Sequence, residues 1–121
     1  MTYFTSDHEW LTLDGDLATV GITAYAAEAL GDLVFVDVTG QGQAVTAKES
    51  VAVVDSVKAA SDIYAPASGE IVETNPRLAG EPEIVNADPE GAGWLFKMRL
   101  SDKAELEALL DRAAYDKLIG G

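Results

Sequence analysis

Short runs in which apolar residues alternate with polar ones recur along this chain and limit it to a fold of short β-strands. Residues 94–100 show the pattern clearly, because three apolar side chains face one way while Lys97 and Arg99 face the other. Glycine or proline separates most of these runs, as expected for a β-sandwich or barrel. The predicted strands are residues 17–22, 33–38, 51–54, 71–73 and 94–100.

Two helices are predicted among the strands. Thr23 is a good N-cap for a helix over residues 24–30, and Gly31 is a good residue to end it. A C-terminal helix over about residues 101–118 follows from apolar residues at helical spacing. It has acidic side chains, Asp102 and Glu105, in its first turn, where the helix dipole favours them.

The remaining irregular stretch, residues 75–93, contains three prolines and three glycines. We interpret it as a long loop that wraps over the β-structure. The chain has 121 residues, the size of one domain, so residues 1–121 are predicted to form a single domain.

The charge and composition exclude several classes of function. Acidic residues outnumber basic ones by 21 to 8, which gives a net charge of −13. Nucleic acids and anionic membranes attract basic proteins, so neither is expected as a partner. The chain has no Cys, which excludes disulfides, thiolate nucleophiles and Cys-ligated metals. The N-terminal residues lack the features of a signal peptide, and we expect a cytoplasmic monomer with no metal.

The chain has few of the residues and motifs that are typical of catalytic sites. His8 is its only histidine, and no phosphate-binding loop, dinucleotide fingerprint or nucleophile elbow occurs. A small hydrolase that uses His8 is the enzymatic alternative, and it predicts turnover by the isolated protein. This scarcity of catalytic motifs favours a protein without catalytic activity of its own.

Lys58 is the most interesting side chain in this respect. It falls near the tip of a predicted hairpin, about residues 51–65, between the small apolar residues Val57 and Ala59. A lysine at a stiff turn offers its amine to solvent in a fixed position, as an acylating enzyme needs. The local pattern alone favours an ordinary exposed turn lysine over such a site. The other lysines considered are Lys48, Lys97, Lys103 and Lys117, of which Lys48 lies nearest in sequence.

The hairpin closely resembles the lipoylation hairpin of glycine cleavage H proteins. The similarity lies in residues 55–59 (DSVKA), 61–66 (SDIYAP) and 68–75 (SGEIVETN). The resemblance spans about residues 6–118. Asp55 departs from it, since the family usually has Glu there, but the charge is kept. Further similar segments, in the family's order, are residues 8–10, 19–23, 29–36, 85–86, 88–89 and 93–95.

The resemblance implies a mainly β fold, a flattened lipoyl-type β-barrel/sandwich hybrid with a short internal helix and a C-terminal helix. It implies that Lys58 carries lipoate in amide linkage. In this family the lipoyl arm takes an aminomethyl group from the glycine decarboxylase (P protein) to the aminomethyltransferase (T protein). Dihydrolipoamide dehydrogenase (L protein) then reoxidises the arm, and lipoate-attaching enzymes are further implied partners.

The loaded arm in this family folds into a surface cleft, which makes Glu9 and Asp62 candidate partners for its amine. A carboxylate in a partly dry cleft attracts a cation more strongly than one in open water. The alternative is that both are solvated surface acids.

Other carriers and binding roles remain open at this point. Biotin carriers place Met on both sides of the modified lysine, whereas Lys58 has Val57 and Ala59. Lipoyl domains of 2-oxoacid dehydrogenases are shorter and tethered by Ala/Pro-rich linkers, which this chain lacks. An H-like protein that relays lipoate to other acceptors, or an unmodified binding module, would share the same sequence features.

Overall fold

A computed structural model describes residues 2–39, 42–78, 80–101 and 103–120, and it shows two antiparallel sheets. The larger sheet has the strand order β1-β2-β3-β9-β8-β5, and the smaller one has the order β4-β6-β7. The mainly β prediction is confirmed, and the described strands do not close into a barrel. The strands are β1 (Thr2–Phe4), β2 (Glu9–Asp14), β3 (Leu17–Ile22), β4 (Leu33–Val38), β5 (Ala44–Val45), β6 (Ser50–Ser56), β7 (Ala60–Tyr64), β8 (Gly69–Thr74) and β9 (Phe96–Leu100).

One hydrophobic core contains side chains from both sheets. Val20 and Ile22 of β3, Val54 of β6 and Met98 of β9 are all at most 1% exposed. In β3 and β9 alternate side chains face this core, which is why the alternating sequence pattern predicts these two strands, whereas β6 buries the consecutive residues Val51 and Ala52. Burial of this apolar surface is the main force that holds the two sheets together.

The first helix, α1 (Ala24–Leu30), has the bounds that the sequence predicts. The Thr23 hydroxyl accepts a hydrogen bond from Ala26 N–H at 3.3 Å, so it caps the helix as expected. Gly31 ends the helix with φ +81°, a conformation that residues with a Cβ rarely adopt. Its N–H donates to the carbonyl of Ala27 at 3.2 Å.

The prediction of one continuous C-terminal helix is wrong. Lys103–Ala108 form a 3₁₀ helix, and a separate α-helix follows, Arg112–Leu118. Between them, Leu110 exchanges two backbone hydrogen bonds with Phe4 of β1, at 2.7 and 2.8 Å. A residue whose N–H and C=O both bond to a strand cannot continue a helix, and Asp111 caps a new one. Asp102 lies outside the described residues.

Residues 75–93 are less irregular than the loop that the sequence predicts. They contain a 3₁₀ turn, Pro76–Leu78, and α2 (Ile84–Ala87), so the later helix at Arg112–Leu118 is α3. The sequence does not predict α2, because its four residues are too few to show helical periodicity and prolines and glycines lie on both sides of it.

A β-bulge interrupts the pairing of β4 with β6, between Leu33 and Phe35. The bulge breaks the normal alternation, so two consecutive side chains, Val34 and Phe35, are 57% and 53% exposed. In the smaller sheet β4 is an edge strand.

Among the described residues, no helix is long and apolar enough to cross a bilayer. No three His, Asp or Glu side chains in those same ranges are grouped as metal ligands would be.

Candidate functional site

Lys58 lies in the tight turn between β6 and β7, where its side chain is exposed. Asp55 and Ala60 are the last paired residues before the turn. The Ser56 hydroxyl donates to the carbonyl of Ala59 at 3.0 Å and accepts from the N–H groups of Lys58 and Ala59, both at 3.2 Å. Sequence reasoning did not select Ser56, although a serine two residues before a turn residue is a common turn-forming signal.

A second contact fixes the turn from outside the hairpin. Val57 N–H donates to the carbonyl of Asp32 at 3.1 Å, in the segment that follows α1. The Lys58 side chain passes close to Gly31, where an added Cβ would lie 3.3 Å from Lys58 Cε. Lys58 is therefore held at its backbone, and its stem lies beside the end of α1.

A cleft of about 240 Å³ lies beside the turn, between α1 and β7. Leu30, the residue before Gly31, lines the cleft at the end of α1 near Lys58, and Tyr25 lines it at the start of that helix. An α-helix rises about 1.5 Å per residue, so the cleft extends about 7 Å along α1. The lining residues are Asp7, His8, Ile22, Tyr25, Ala26, Ala29, Leu30, Ser61, Asp62 and Ile63.

Asp62 and Glu9, the two acids selected from the sequence, occupy different environments. Asp62 is exposed and lines the cleft. Glu9 is only 2% exposed, and its two carboxylate oxygens accept from the Thr5 hydroxyl at 3.0 Å and from Tyr64 N–H at 2.9 Å. Burial raises the pKa of Glu9 to about 7, although the hydrogen bonds from Tyr64 and Thr5 partly oppose this rise.

Asp7 is a cleft acid that sequence reasoning missed. Its carboxylate forms an ion pair with the Lys48 amine at 3.6 Å. The only signal in the sequence was its position next to His8, and the ion pair with Lys48 joins segments that are far apart in the sequence. Asp7 and Asp62 together give the cleft two carboxylates, which suits a cationic group.

His8 has a structural role at the other end of the cleft. Its Nδ1 lies 2.8 Å from the Tyr115 hydroxyl, and its ring packs against Tyr25 with centroids 4.8 Å apart. Its φ is +70°, an uncommon value for a residue with a side chain.

Two of the rival lysines are engaged in other contacts. Lys48 pairs with Asp7, and the Lys97 amine lies over the Trp94 ring, 5.1 Å from its centroid. Within the part of the chain that the structure describes, the Lys58 amine forms no ion pair. Lys48 also lies in a turn and its side chain is 68% exposed, so the ion pair with Asp7 is what distinguishes it from Lys58.

Comparisons with known proteins show the family of this chain. A family model described as glycine cleavage H-protein matches residues 2–120. The glycine cleavage system H protein of Phenylobacterium zucineum is 60% identical over 116 residues, 96% of each chain. That of Caulobacter vibrioides is also 60% identical, over 117 residues and 97% of each chain. The crystal structure of a glycine cleavage system H protein from Mycobacterium marinum superimposes with a TM-score of 0.89 at 41% identity, covering 99% of this chain and 97% of that one. The chain therefore belongs to the glycine cleavage H-protein family.

Proposed function

We propose that this protein is the lipoyl-carrying shuttle of the glycine cleavage system, with lipoate joined to Lys58 by an amide bond. In this role it moves an aminomethyl group from the P protein to the T protein, and the L protein reoxidises the arm. The observation that carries the proposal is the position of the Lys58 side chain, which is exposed at a hydrogen-bonded turn beside an acidic cleft.

The residues present fit a covalently attached arm. An exposed amine with small neighbours is accessible to an acylating enzyme, and the fixed turn would give every modified copy the same point of attachment. The lipoyl group, when attached, supplies the redox-active sulfur chemistry that this Cys-free chain lacks. The protein then needs only to present the arm and shelter its end.

The cleft would shield the end of the lipoyl arm from water with its apolar walls and attract an amine with its negative charge. Ala26, Leu30 and Ile63 form apolar walls, and Asp7 and Asp62 provide negative charge for an amine. We favour Asp62 over Glu9 as the direct partner, because both oxygens of Glu9 already accept hydrogen bonds.

Glu9 has an indirect part in this proposal. Its Oε2 accepts a hydrogen bond from the N–H of Tyr64, the last residue of β7. The same strand carries Asp62. Glu9 thereby keeps one wall of the cleft in place.

The partners proposed are the P, T and L proteins and the enzymes that attach lipoate. A net charge of −13 favours brief encounters with more basic surfaces, which suits a carrier that must leave each partner again. We propose that the protein acts as a monomer in the cytoplasm and has no catalytic activity of its own.

The first prediction concerns Lys58 itself. Protein from cells that make lipoyl proteins should gain the mass of one lipoyl group, and peptide fragmentation should map it to Lys58. Lys58→Arg keeps the positive charge but removes the acylable amine, so it should abolish both the modification and glycine-dependent exchange with the P protein.

Lys48→Arg is the matched control, because Arg can keep the ion pair with Asp7. This variant should be modified and active like the wild type. Full exchange activity in Lys58→Arg, or modification at Lys48, would overturn the assignment. Modified protein that supports no exchange would favour lipoate relay instead.

A further inference from the structure

The Asn86 side chain forms hydrogen bonds with the segment that follows α1. Its Oδ1 accepts from Leu33 N–H at 2.8 Å, and its Nδ2 donates to the carbonyl of Gly31 at 2.8 Å. Exchanging the two amide atoms would place donor against donor and acceptor against acceptor, so the network defines the orientation of the side chain. The two bonds lie on either side of Asp32, and we call this arrangement the Asn86 bracket.

The bracketed residue supports the Lys58 turn. The carbonyl of Asp32 accepts the hydrogen bond from Val57 N–H, one residue before Lys58. Gly31, the residue before Asp32, has no Cβ and so leaves room for the Lys58 side chain. A shift of this segment would therefore move both the backbone and the stem of Lys58.

Asn86 itself is rigidly placed. It belongs to α2, whose residues Ile84 and Val85 are buried in the hydrophobic core, at 8% and 0% exposed. Close-packed cores tolerate little displacement, so the core fixes α2 and thereby the amide. The core is thus connected to Lys58 through the Asn86 amide, the backbone of residues 31–33 that it bonds, and the hydrogen bond from Val57 N–H to Asp32.

We infer that Asn86 is a positioning residue for acylation of Lys58: its bracket holds the Asp32 carbonyl where the hairpin turn needs it. This inference rests on the proposed attachment of lipoate to Lys58. It gives a function to α2, which lies in a segment whose role the sequence does not reveal.

The test compares the wild-type apo-protein with Asn86→Ala and Asn86→Asp. Acylation is measured with a purified lipoate-attaching enzyme, lipoate and ATP, and hydrogen exchange of the Val57 amide is measured by NMR. Asn86→Ala should lower kcat/KM for acylation about fivefold or more, and the Val57 amide should exchange faster by a similar factor. Asn86→Asp keeps the acceptor for Leu33 N–H but sets a carboxylate oxygen against the Gly31 carbonyl, so it should lower acylation and speed Val57 exchange at least as much as Asn86→Ala.

Asn75→Ala is a matched control. The Asn75 amide also makes hydrogen bonds with backbone groups, donating to Ala92 and Trp94 at 2.9 Å and accepting from Arg77 N–H at 3.1 Å. None of these groups touches the Lys58 turn directly, so this variant should lose stability but keep wild-type acylation and Val57 exchange.

A second control separates positioning from access to the amine. Acetylation of Lys58 by N-hydroxysuccinimide acetate needs only an exposed amine, so Asn86→Ala should react at the wild-type rate. A slower reaction here would show that the amine has been covered, which would overturn the inference.

The remaining outcomes are equally decisive. Wild-type acylation of Asn86→Ala would overturn the inference, as would an equal loss in Asn75→Ala. Should the wild-type protein itself not be acylated, the proposed function fails, and Val57 exchange in Asn86→Ala still decides whether the bracket exists.

Discussion

The buried carboxylate of Glu9 makes the stability of this protein depend on pH. Its pKa is raised to about 7 in the folded protein, chiefly because burial disfavours the charged form. A raised carboxyl pKa stabilises the fold at pH values below the unfolded-state pKa, and this contribution is lost as the pH rises through 7.

Glu9→Gln removes this ionisation while keeping most of the hydrogen bonds. The free energy of unfolding of the wild type, minus that of Glu9→Gln, should fall by up to about 3 kcal/mol between about pH 4.5 and pH 8. Urea unfolding at several pH values measures this difference. A difference that does not change with pH would show that Glu9 titrates normally.

Glu81→Gln is the surface control for that experiment. The pKa of Glu81 is lowered by a hydrogen bond from Arg77, so its small stabilising effect is lost as the pH falls. The free energy of unfolding of the wild type, minus that of Glu81→Gln, should therefore rise slightly as the pH rises, whereas the corresponding difference for Glu9→Gln falls.

At the scale of single elements, the turn that carries Lys58 depends on one hydroxyl. Ser56→Ala removes a donor to the Ala59 carbonyl and an acceptor for two N–H groups. We expect it to lower the free energy of unfolding by about 1 kcal/mol, measured by urea unfolding. Ser50→Ala, at the exposed start of the same strand, should have little effect. Equal losses in both variants would assign the effect to β-propensity and not to the turn.

Elements defined by local signals could be predicted from the sequence, and those defined by distant contacts could not. The bounds of β3 follow from alternation, those of β4 from its β-branched and aromatic residues, and those of α1 from the Thr23 cap and the Gly31 stop. The break in the C-terminal segment depends on the bridge between Leu110 and Phe4, which are far apart in the chain. No local sequence pattern predicts such a bridge.

At the scale of the whole molecule, Tyr115 connects the C-terminal helix to the cleft. Its hydroxyl lies 2.7 Å from the Thr23 hydroxyl, at the start of α1, and 2.8 Å from His8 Nδ1. Tyr115→Phe should lower the free energy of unfolding by about 1–2 kcal/mol, because it removes both bonds from a buried site. Tyr25→Phe, whose ring is 47% exposed, is the control for urea unfolding. A similar loss in both would argue against this connection.

The candidate site shows the same limit of sequence reasoning on a larger scale. Lys58 stands out because its hairpin is a continuous segment, and that segment is one of those in which the chain resembles H proteins. The cleft combines α1, β7 and the residues before β2, so Asp7 gains its place only through folding. Glu9 begins β2, a strand that is not predicted from the sequence, and its hydrogen bonds join it to Thr5 and to the distant residue Tyr64.

The bulge in β4 also affects how this protein behaves in a crowded solution. An uninterrupted edge strand with two exposed apolar side chains would offer a template on which a second molecule could add a strand and begin to aggregate. The extra residue at Val34 and Phe35 breaks the regular spacing of backbone donors and acceptors along that edge. The same irregularity that exposes these side chains therefore opposes the addition of a strand from a second molecule at this edge.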